Sequence, residues 1–332
     1  MGHSLTVFNT RQEFQTGDGE TMLDALLRNG VRVRYGCRRG KCATCKHYVN
    51  DGEFDNSNAS AYALLDEERE EGLTLLCQTY PLSDCVIELR EDEAGDAGIR
   101  PAKPKAVTGT VTGVEALAGD LWSLRLDLDG SLSALPGQYV ELTLPPGARG
   151  DPGEAGGGVS RTFSIASSPR DLRRLEVIVR RYPGGVFSGA LDGLQPGAEV
   201  GVSGPYGQVF LRPANRPMIL IGDETGIGPV LSVARYTKAQ GWPAGITVLH
   251  VAPSEAELVH RHELAAWADG RTDFEYHPSG GLGTAVAAKV SGEDVDVYVF
   301  GAPAFCEQAV FLVEARGVSS KQIHVEQFFP AH

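Results

Sequence analysis

Apolar and polar positions alternate weakly over residues 4–16, the period of two expected of a β-hairpin. Thr21-Met22-Leu23-Asp24 carries a capping-box pattern, and Leu23, Leu26 and Leu27 make a short helical stripe that stops at Gly30. Ala61 to Glu71 reads as a second helix and Val86-Ile87-Glu88-Leu89 as a closing strand, so residues 1–93 form one small α+β unit. The Gly, Pro and charge content of residues 94–104 marks a linker. Over 105–212 the texture is all strand. Val107 to Val114, Trp122 to Leu128, Tyr139 to Leu144 and Leu175 to Val179 are short, alternating or β-branched, and separated by turn signals, which predicts a small antiparallel barrel. Gly147 to Gly158 follows no buried strand and precedes no helix, so it reads as a mobile surface loop. Over 213–332 strand candidates (218–221, 246–249, 274–276, 295–300) alternate with helical stretches at Val230–Gln240, Ala256–Ala268 and Phe305–Arg316. That alternation predicts a parallel sheet with helices on both faces.

Length and charge narrow the class. A chain of 332 residues suits two or three domains. A formal charge of -13 argues against nucleic acid as a partner, because binding its phosphates needs a basic face. No apolar run approaches transmembrane length, and no apolar signal segment opens the chain, so the expected compartment is cytoplasmic with no membrane partner. Asp66 to Glu71 and Glu91-Asp92-Glu93 concentrate acid in the first hundred residues. A solvated helix face or linker edge explains such runs; an acidic docking surface for a basic protein is the functional alternative.

The cysteines add the chemistry. Cys37, Cys42 and Cys45 with Cys77 follow C-x4-C-x2-C…C, the thiolate spacing of a plant-type [2Fe-2S] centre. Structural zinc favours two paired knuckles or a Cys/His mixture, and here Cys77 has no partner at knuckle spacing. A long, cysteine-poor chain also argues against a disulfide framework. Gly36 and Gly40 allow the unusual backbone angles that bring amide N–H groups up to sulfur. Cys85 and Cys306 read as small buried hydrophobes. The histidines form no metal pattern: His260 and His262, two apart on the expected helix, face different ways.

Two further motif groups follow. Pro136-Gly137-Gln138-Tyr139, Arg161-Thr162-Phe163-Ser164 and Gly184-Gly185-Val186-Phe187-Ser188 occur in this order within the all-β segment. Together they resemble the flavin domain of the ferredoxin–NADP reductase superfamily, whose signature is R-x-Y/F-S. Arg161 offers a forked cation for a diphosphate, Phe163 an aromatic face for the isoalloxazine, and Ser164 a hydroxyl near its N5. The resemblance implies that Gly185 and Ser188 line the FAD pyrophosphate. Gly222-Asp223-Glu224-Thr225-Gly226-Ile227-Gly228-Pro229 then follows the buried run Ile219–Ile221, a glycine turn entering a helix with proline near its start. It is similar to the superfamily's nicotinamide dinucleotide loop, placing Gly226, Gly228 and Pro229 on the cofactor. Asp223 and Glu224 replace small residues there and are expected to point away from phosphate. Ala252 to Glu257, after the second strand, lacks the Arg or Lys a 2′-phosphate wants, which favours NADH; Arg261 lies a turn further on. Tyr298-Val299-Phe300-Gly301-Ala302-Pro303 resembles the superfamily's C-G-P-P stretch beside the nicotinamide, with Phe300 at the cysteine position and Gly301 on the cofactor. Phe328, in Val325-Glu326-Gln327-Phe328, corresponds to a terminal aromatic near the flavin's other face. On this resemblance Ser164, Phe300 and Phe328 surround the reacting rings.

Nearly the whole chain thus resembles one architecture: a β-grasp ferredoxin domain (1–93), a linker (94–104), an antiparallel flavin-binding β-barrel (105–212) and a parallel-sheet nucleotide domain (213–332). This is similar to the NADH-dependent reductase components of bacterial multicomponent oxygenases. The stretches Cys37–Cys45 and Glu67–Pro81 are similar to reductases of soluble di-iron monooxygenases of the alkane and phenol type. The resemblance implies an oxidoreductase passing electrons from NADH to FAD to the [2Fe-2S] cluster to a hydroxylase component. The same modules suit a reductase for a Rieske-type ring-hydroxylating dioxygenase or a deoxysugar-forming enzyme. Phe300 invites a reading of another class, a non-catalytic redox sensor or docking module with a blocked nicotinamide pocket.

Overall fold

The computed structural model describes residues 2–90, 101–145, 158–169, 172–212, 216–242, 244–292 and 294–329, and every element below lies among them. The chain divides into two units, Met1–Pro104 and Lys105–His332. Most of the expected linker, the acidic run Glu91–Glu93 and the expected loop at 147–157 fall outside the described residues.

In the first unit the expected hairpin forms from β1 (Ser4–Val7) and β2 (Gln12–Gln15). Leu5 and Val7 point into the core and their neighbours do not, the one-sided burial that period two encodes. β3 (Lys46–Asp51), β5 (Leu73–Leu75) and β7 (Cys85–Glu88) complete a mixed sheet in the order β2-β1-β7-β3-β5, while β4 (Phe54–Asp55) and β6 (Tyr80–Pro81) pair separately. β7 is central, parallel to β1 and antiparallel to β3, so the strand expected to close the unit runs through its middle. α1 (Met22–Arg28) lies across this sheet in a β-grasp and buries Met22, Leu23, Ala25, Leu26 and Leu27. Its cap forms as expected: Thr21 Oγ accepts from the Asp24 N–H, and the chain turns away at Gly30, φ +77°.

The second helix is shorter than its pattern. α2 spans only Asp66–Glu70 and buries none of its residues, which makes its acidic run a solvated face. The preceding residues fold as turns, because Ala63 and Leu64 donate to the Ser60 carbonyl and are themselves buried. The Arg69 guanidinium fixes that irregular stretch by donating to the carbonyls of Asn56 and Ala59.

The second unit opens with β8 (Lys105–Ala118), β9 (Leu121–Leu128), β10 (Tyr139–Leu144), β11 (Val159–Ser164), β12 (Arg174–Arg180) and β13 (Glu199–Tyr206), in the antiparallel order β11-β10-β13-β8-β9-β12. The sheet curls until an Ile165–Val177 bridge joins its two ends, giving the expected barrel around Leu124, Leu126, Val140, Leu142, Val177 and Val202. α3 (Val186–Ala190) follows β12.

β14 (Met218–Asp223), β15 (Ile246–Val251), β16 (Phe274–Ser279), β17 (Asp296–Gly301) and β18 (Ile323–Gln327) form a parallel sheet in the order β16-β15-β14-β17-β18. Its helices are α4 (Ile227–Gln240), α5 (Arg261–Ala268), α6 (Leu282–Lys289) and α7 (Pro303–Glu314). α4 and α7 begin two or three residues earlier than their apolar patterns, since Gly and Pro occupy their first turns. The helix expected at Ala256–Ala268 is broken: Glu255–Glu257 is a 3-10 turn, and His260 sits before α5 at φ +57°. His260 therefore shares no helix with His262. α6 has no counterpart in the sequence reading, its glycines at 280, 281 and 283 masking the Leu282–Ala285–Val286 stripe.

Candidate functional sites

The cluster loop runs from Gly36 to Cys45 and is shaped by three left-handed residues, Arg38, Gly40 and Ala43, at φ +53°, +69° and +57°. The strain at Arg38 is held from outside. Arg38 donates to Asp24 of α1 at 2.6 Å, and Gln78 Nε2 donates to the Arg38 carbonyl at 3.4 Å. Gly40 has no room for a side chain, since a Cβ there would lie 2.7 Å from Gln78 Cγ. Backbone N–H groups aim at sulfur: those of Arg39 and Lys41 at Cys37 Sγ, and that of Cys37 at Cys42 Sγ, each at 3.4 Å.

The four sulfurs form two contacting pairs, Cys37 with Cys42 and Cys45 with Cys77. Among the described residues no three His, Cys, Asp or Glu side chains surround a single metal position. Two thiolate pairs fed by amide donors are what a two-iron, two-sulfide cluster asks of a protein, so the donor set fits. The Cys37 thiol donates to Cys42, which pulls Cys42 down to about 5 and pushes Cys37 well above the usual thiol range. Cys85 and Cys306 are buried, as their lack of context suggested.

In the second unit the flavin motif is assembled from β10, β11 and α3. Tyr139 pairs with Ser164 and Leu142 with Arg161 across the β10–β11 ladder. Gln138 is fully buried and locks this corner: its carbonyl accepts from Ile165, its Oε1 from the Leu135 N–H, and its Nε2 donates to the Gly207 carbonyl. Phe163 packs on Phe187 of α3 with ring centroids 4.8 Å apart, which brings Gly185 and Ser188 beside the Arg161–Ser164 strand. The Ser188 Oγ accepts from the Tyr182 N–H at 3.1 Å across the Gly184–Gly185 turn, which fixes its position there. Arg161 donates to the Ser160 carbonyl at 2.8 Å.

The nucleotide motif lies where the parallel sheet changes direction, between β14 and β17, the crevice in which such sheets take ligands. Gly226 caps α4, and a Cβ there would strike the Phe300 carbonyl; one at Gly301 would strike the Asp223 carboxyl. Gly228, followed by Pro229, faces the barrel: its Cβ position is 3.8 Å from the Ser164 carbonyl and 3.7 Å from Ile178. The dinucleotide turn and the R-T-F-S strand therefore abut. Phe300 is fully buried, its ring in a core shared by Ile227 and Val230 of the parallel-sheet half and Ala166 and Ile178 of the barrel. Phe328 packs on the same core and donates its N–H to the Gly301 carbonyl.

Asp223 and Glu224 behave differently from each other. Glu224 swings to Arg180 at the end of β12. Asp223, expected to point away, turns inward over Gly226 and Gly301 and accepts from the Ala302 N–H.

Two features had no sequence signal. A network pins the barrel to the parallel sheet: Arg235 of α4 donates to Glu176 of β12, to the Ala166 carbonyl and to Glu263 of α5. A cavity of about 850 Å³ at the carboxyl ends of β15 and β16 is lined by Ala252, Ser254, Glu255, Leu258, Arg261 and Tyr276. In it the Arg261 guanidinium is paired with the Glu255 carboxylate.

Known proteins agree with this layout. Residues 5–82 match the 2Fe-2S iron-sulfur cluster binding domain and residues 108–211 the oxidoreductase FAD-binding domain. The chain is 34% identical to the reductase component of propane 2-monooxygenase from Gordonia sp. (strain TY-5), over 98% of this chain and 97% of that protein. It is 31% identical to the reductase component of phenol 2-monooxygenase from Pseudomonas sp. (strain CF600), over 100% and 96%. The crystal structure of the Amycolatopsis cytochrome P450 reductase GcoB superposes with a TM-score of 0.86 at 32% identity, over 99% of this chain and 100% of that one.

Proposed function

This chain belongs to the family of reductase components of bacterial multicomponent oxygenases, and from that premise we propose that it oxidises NADH and feeds the electrons singly to a hydroxylase component of the alkane or phenol type. The observation that carries the proposal is the abutment of Gly228 on Ser164, dinucleotide turn against flavin strand. When bound, FAD supplies hydride acceptance and stepwise electron release, and the [2Fe-2S] cluster supplies single-electron transfer.

The chain's own residues do the rest. Arg161, Gly185 and Ser188 hold the flavin diphosphate; Phe163 and Ser164 meet its ring. Gly226, Gly228, Pro229 and Gly301 admit the dinucleotide backbone to the N-terminus of α4. Phe300 and Phe328 close the apolar floor of the same crevice and keep water from it. Cys37, Cys42, Cys45 and Cys77 ligate the two irons. Among the described residues no helix is long and apolar enough to cross a membrane.

The dinucleotide choice follows from charge. The cavity at β15 and β16 suits the adenosine half, and Glu255 both neutralises Arg261 and repels a 2′-phosphate. Anaerobic titration should therefore bleach the flavin, and then part of the iron–sulfur absorption, at far lower NADH than NADPH. A flavin and cluster that neither nucleotide reduces would sink the proposal in favour of a redox sensor. Glu255→Ala should raise kcat/KM for NADPH about tenfold, the worth of one freed charge-assisted contact. An unchanged ratio of the two kcat/KM values would take this pair out of cofactor choice. The likeness to a cytochrome P450 reductase carries a second reading, a haem partner, which reconstitution with candidate oxygenases decides.

A further inference from the structure

A half-buried carboxylic acid lies at the nucleotide crevice of this chain. Asp223 ends β14, and its Oδ1 lies over the Cα atoms of Gly226 and Gly301, the residues that open α4 and precede α7. The Ala302 N–H donates to it, so the carboxyl sits between the N-termini of two helices, where an incoming anion would otherwise be drawn. Resting on the reading of this crevice as the dinucleotide site, we propose that Asp223 is a positioning residue that makes dinucleotide binding proton-linked: the carboxyl must be protonated for the pyrophosphate to seat at α4.

The groups around it decide the sign. Glu224, from the turn after β14, repels the ionised form, while Arg180 of β12 and the Ala302 N–H favour it. Cys306 of α7 lies close by, next to Glu326 of β18 and Glu307 of α7, and burial holds its thiol neutral, pushed up to about 12. Burial dominates at Asp223 itself, and with Glu224 it lifts the carboxyl to about 7. A dianionic pyrophosphate brought to the same place disfavours the carboxylate further. Binding then takes up a proton above neutrality, and affinity, level below about pH 7, falls as pH rises through and beyond it.

The test is calorimetric, on the full-length FAD-loaded protein with 1,4,5,6-tetrahydro-NAD, the non-reducing analogue of NADH, at pH 6 to 9 in buffers of different ionisation enthalpy. The wild type should take up close to one proton at pH 8 and lose affinity by up to about tenfold per pH unit above neutrality. Asp223→Asn, which keeps an acceptor for Ala302, and Asp223→Ser should take up no proton and bind with no such slope. Equal proton uptake in wild type and both variants would overturn the proposal while leaving the site intact. Unchanged binding by Gly226→Ala would instead show that the dinucleotide binds elsewhere, and both readings would fall.

Discussion

Cys42→Ala should purify with FAD but without iron, reduce ferricyanide from NADH at the wild-type rate, and deliver nothing to an oxygenase. The expectation rests on where the chain divides. All four thiolates lie in the unit ending at Pro104, whereas the flavin strand, α3 and the parallel sheet lie wholly in the unit from Lys105. Cys42 is the best single position to remove. It accepts the Cys37 N–H, so its loss breaks one pair of ligands and a hydrogen bond that organises the loop. A methyl group cannot replace an iron–sulfur bond, and three thiolates do not close a two-iron cluster. Iron analysis and the visible spectrum report the first part; stopped-flow flavin reduction by NADH reports the second. Loss of flavin reduction along with the cluster would refute this division of labour.

What was legible in the chain follows from how local the determinants are. The cysteine spacing could be read because each ligand must reach the same few ångströms, and the glycines and left-handed positions of one short loop provide that reach. The R-T-F-S strand and the Gly226–Pro229 turn were legible for the same reason: their neighbours in sequence are their neighbours in space. Alternation of strand and helix gave the parallel sheet, and period-two segments gave the barrel. The misses are tertiary. Arg235 lies 59 residues from Glu176 and 28 from Glu263, and isolated charges at such separations leave no periodicity to find. Asp223 is expected from its place in a phosphate turn to point away from phosphate, but its direction depends on the Ala302 N–H, which belongs to another strand's end. α2 kept the propensity of an eleven-residue helix and lost its first turns to the packing of Ala63 and Leu64 beneath the chain.

Arg235→Met should destabilise the second unit by about 3 to 5 kcal/mol, the loss typical of removing one partner from a buried ion pair. The guanidinium is mostly out of solvent, as are Glu176 and Glu263. Removing it takes the cation from two carboxylates and a donor from the Ala166 carbonyl, leaving Glu176 only its bond from Ser123 and Glu263 only its bond with His260 among the hydrogen bonds described. The consequence reaches chemistry, because Ala166 follows the flavin strand by two residues and α4 carries the dinucleotide turn at its other end. Slackening this joint should therefore slow flavin reduction as well as lower the melting temperature. The pH dependence separates the ion network from lost packing. Burial alone would raise Glu263, but hydrogen bonds from His260 and Arg235 outweigh it and bring the carboxyl to about 2. At Glu176 burial is likewise opposed, by the charge and hydrogen bond of Arg235, and the carboxyl ends below its usual range. Both folded-state values are depressed, so the stability they confer is fully present above the ordinary glutamate range and is lost as pH falls toward 2. The gap in melting temperature between wild type and Arg235→Met should be widest near pH 7 and close progressively below about pH 4.5. Replacing Arg235, Glu176 and Glu263 together with apolar residues of similar size should recover much of the stability, since no charge then remains unpaired. A gap that stayed constant from pH 7 to pH 3 would assign the loss to packing of the arginine stem instead of its charge.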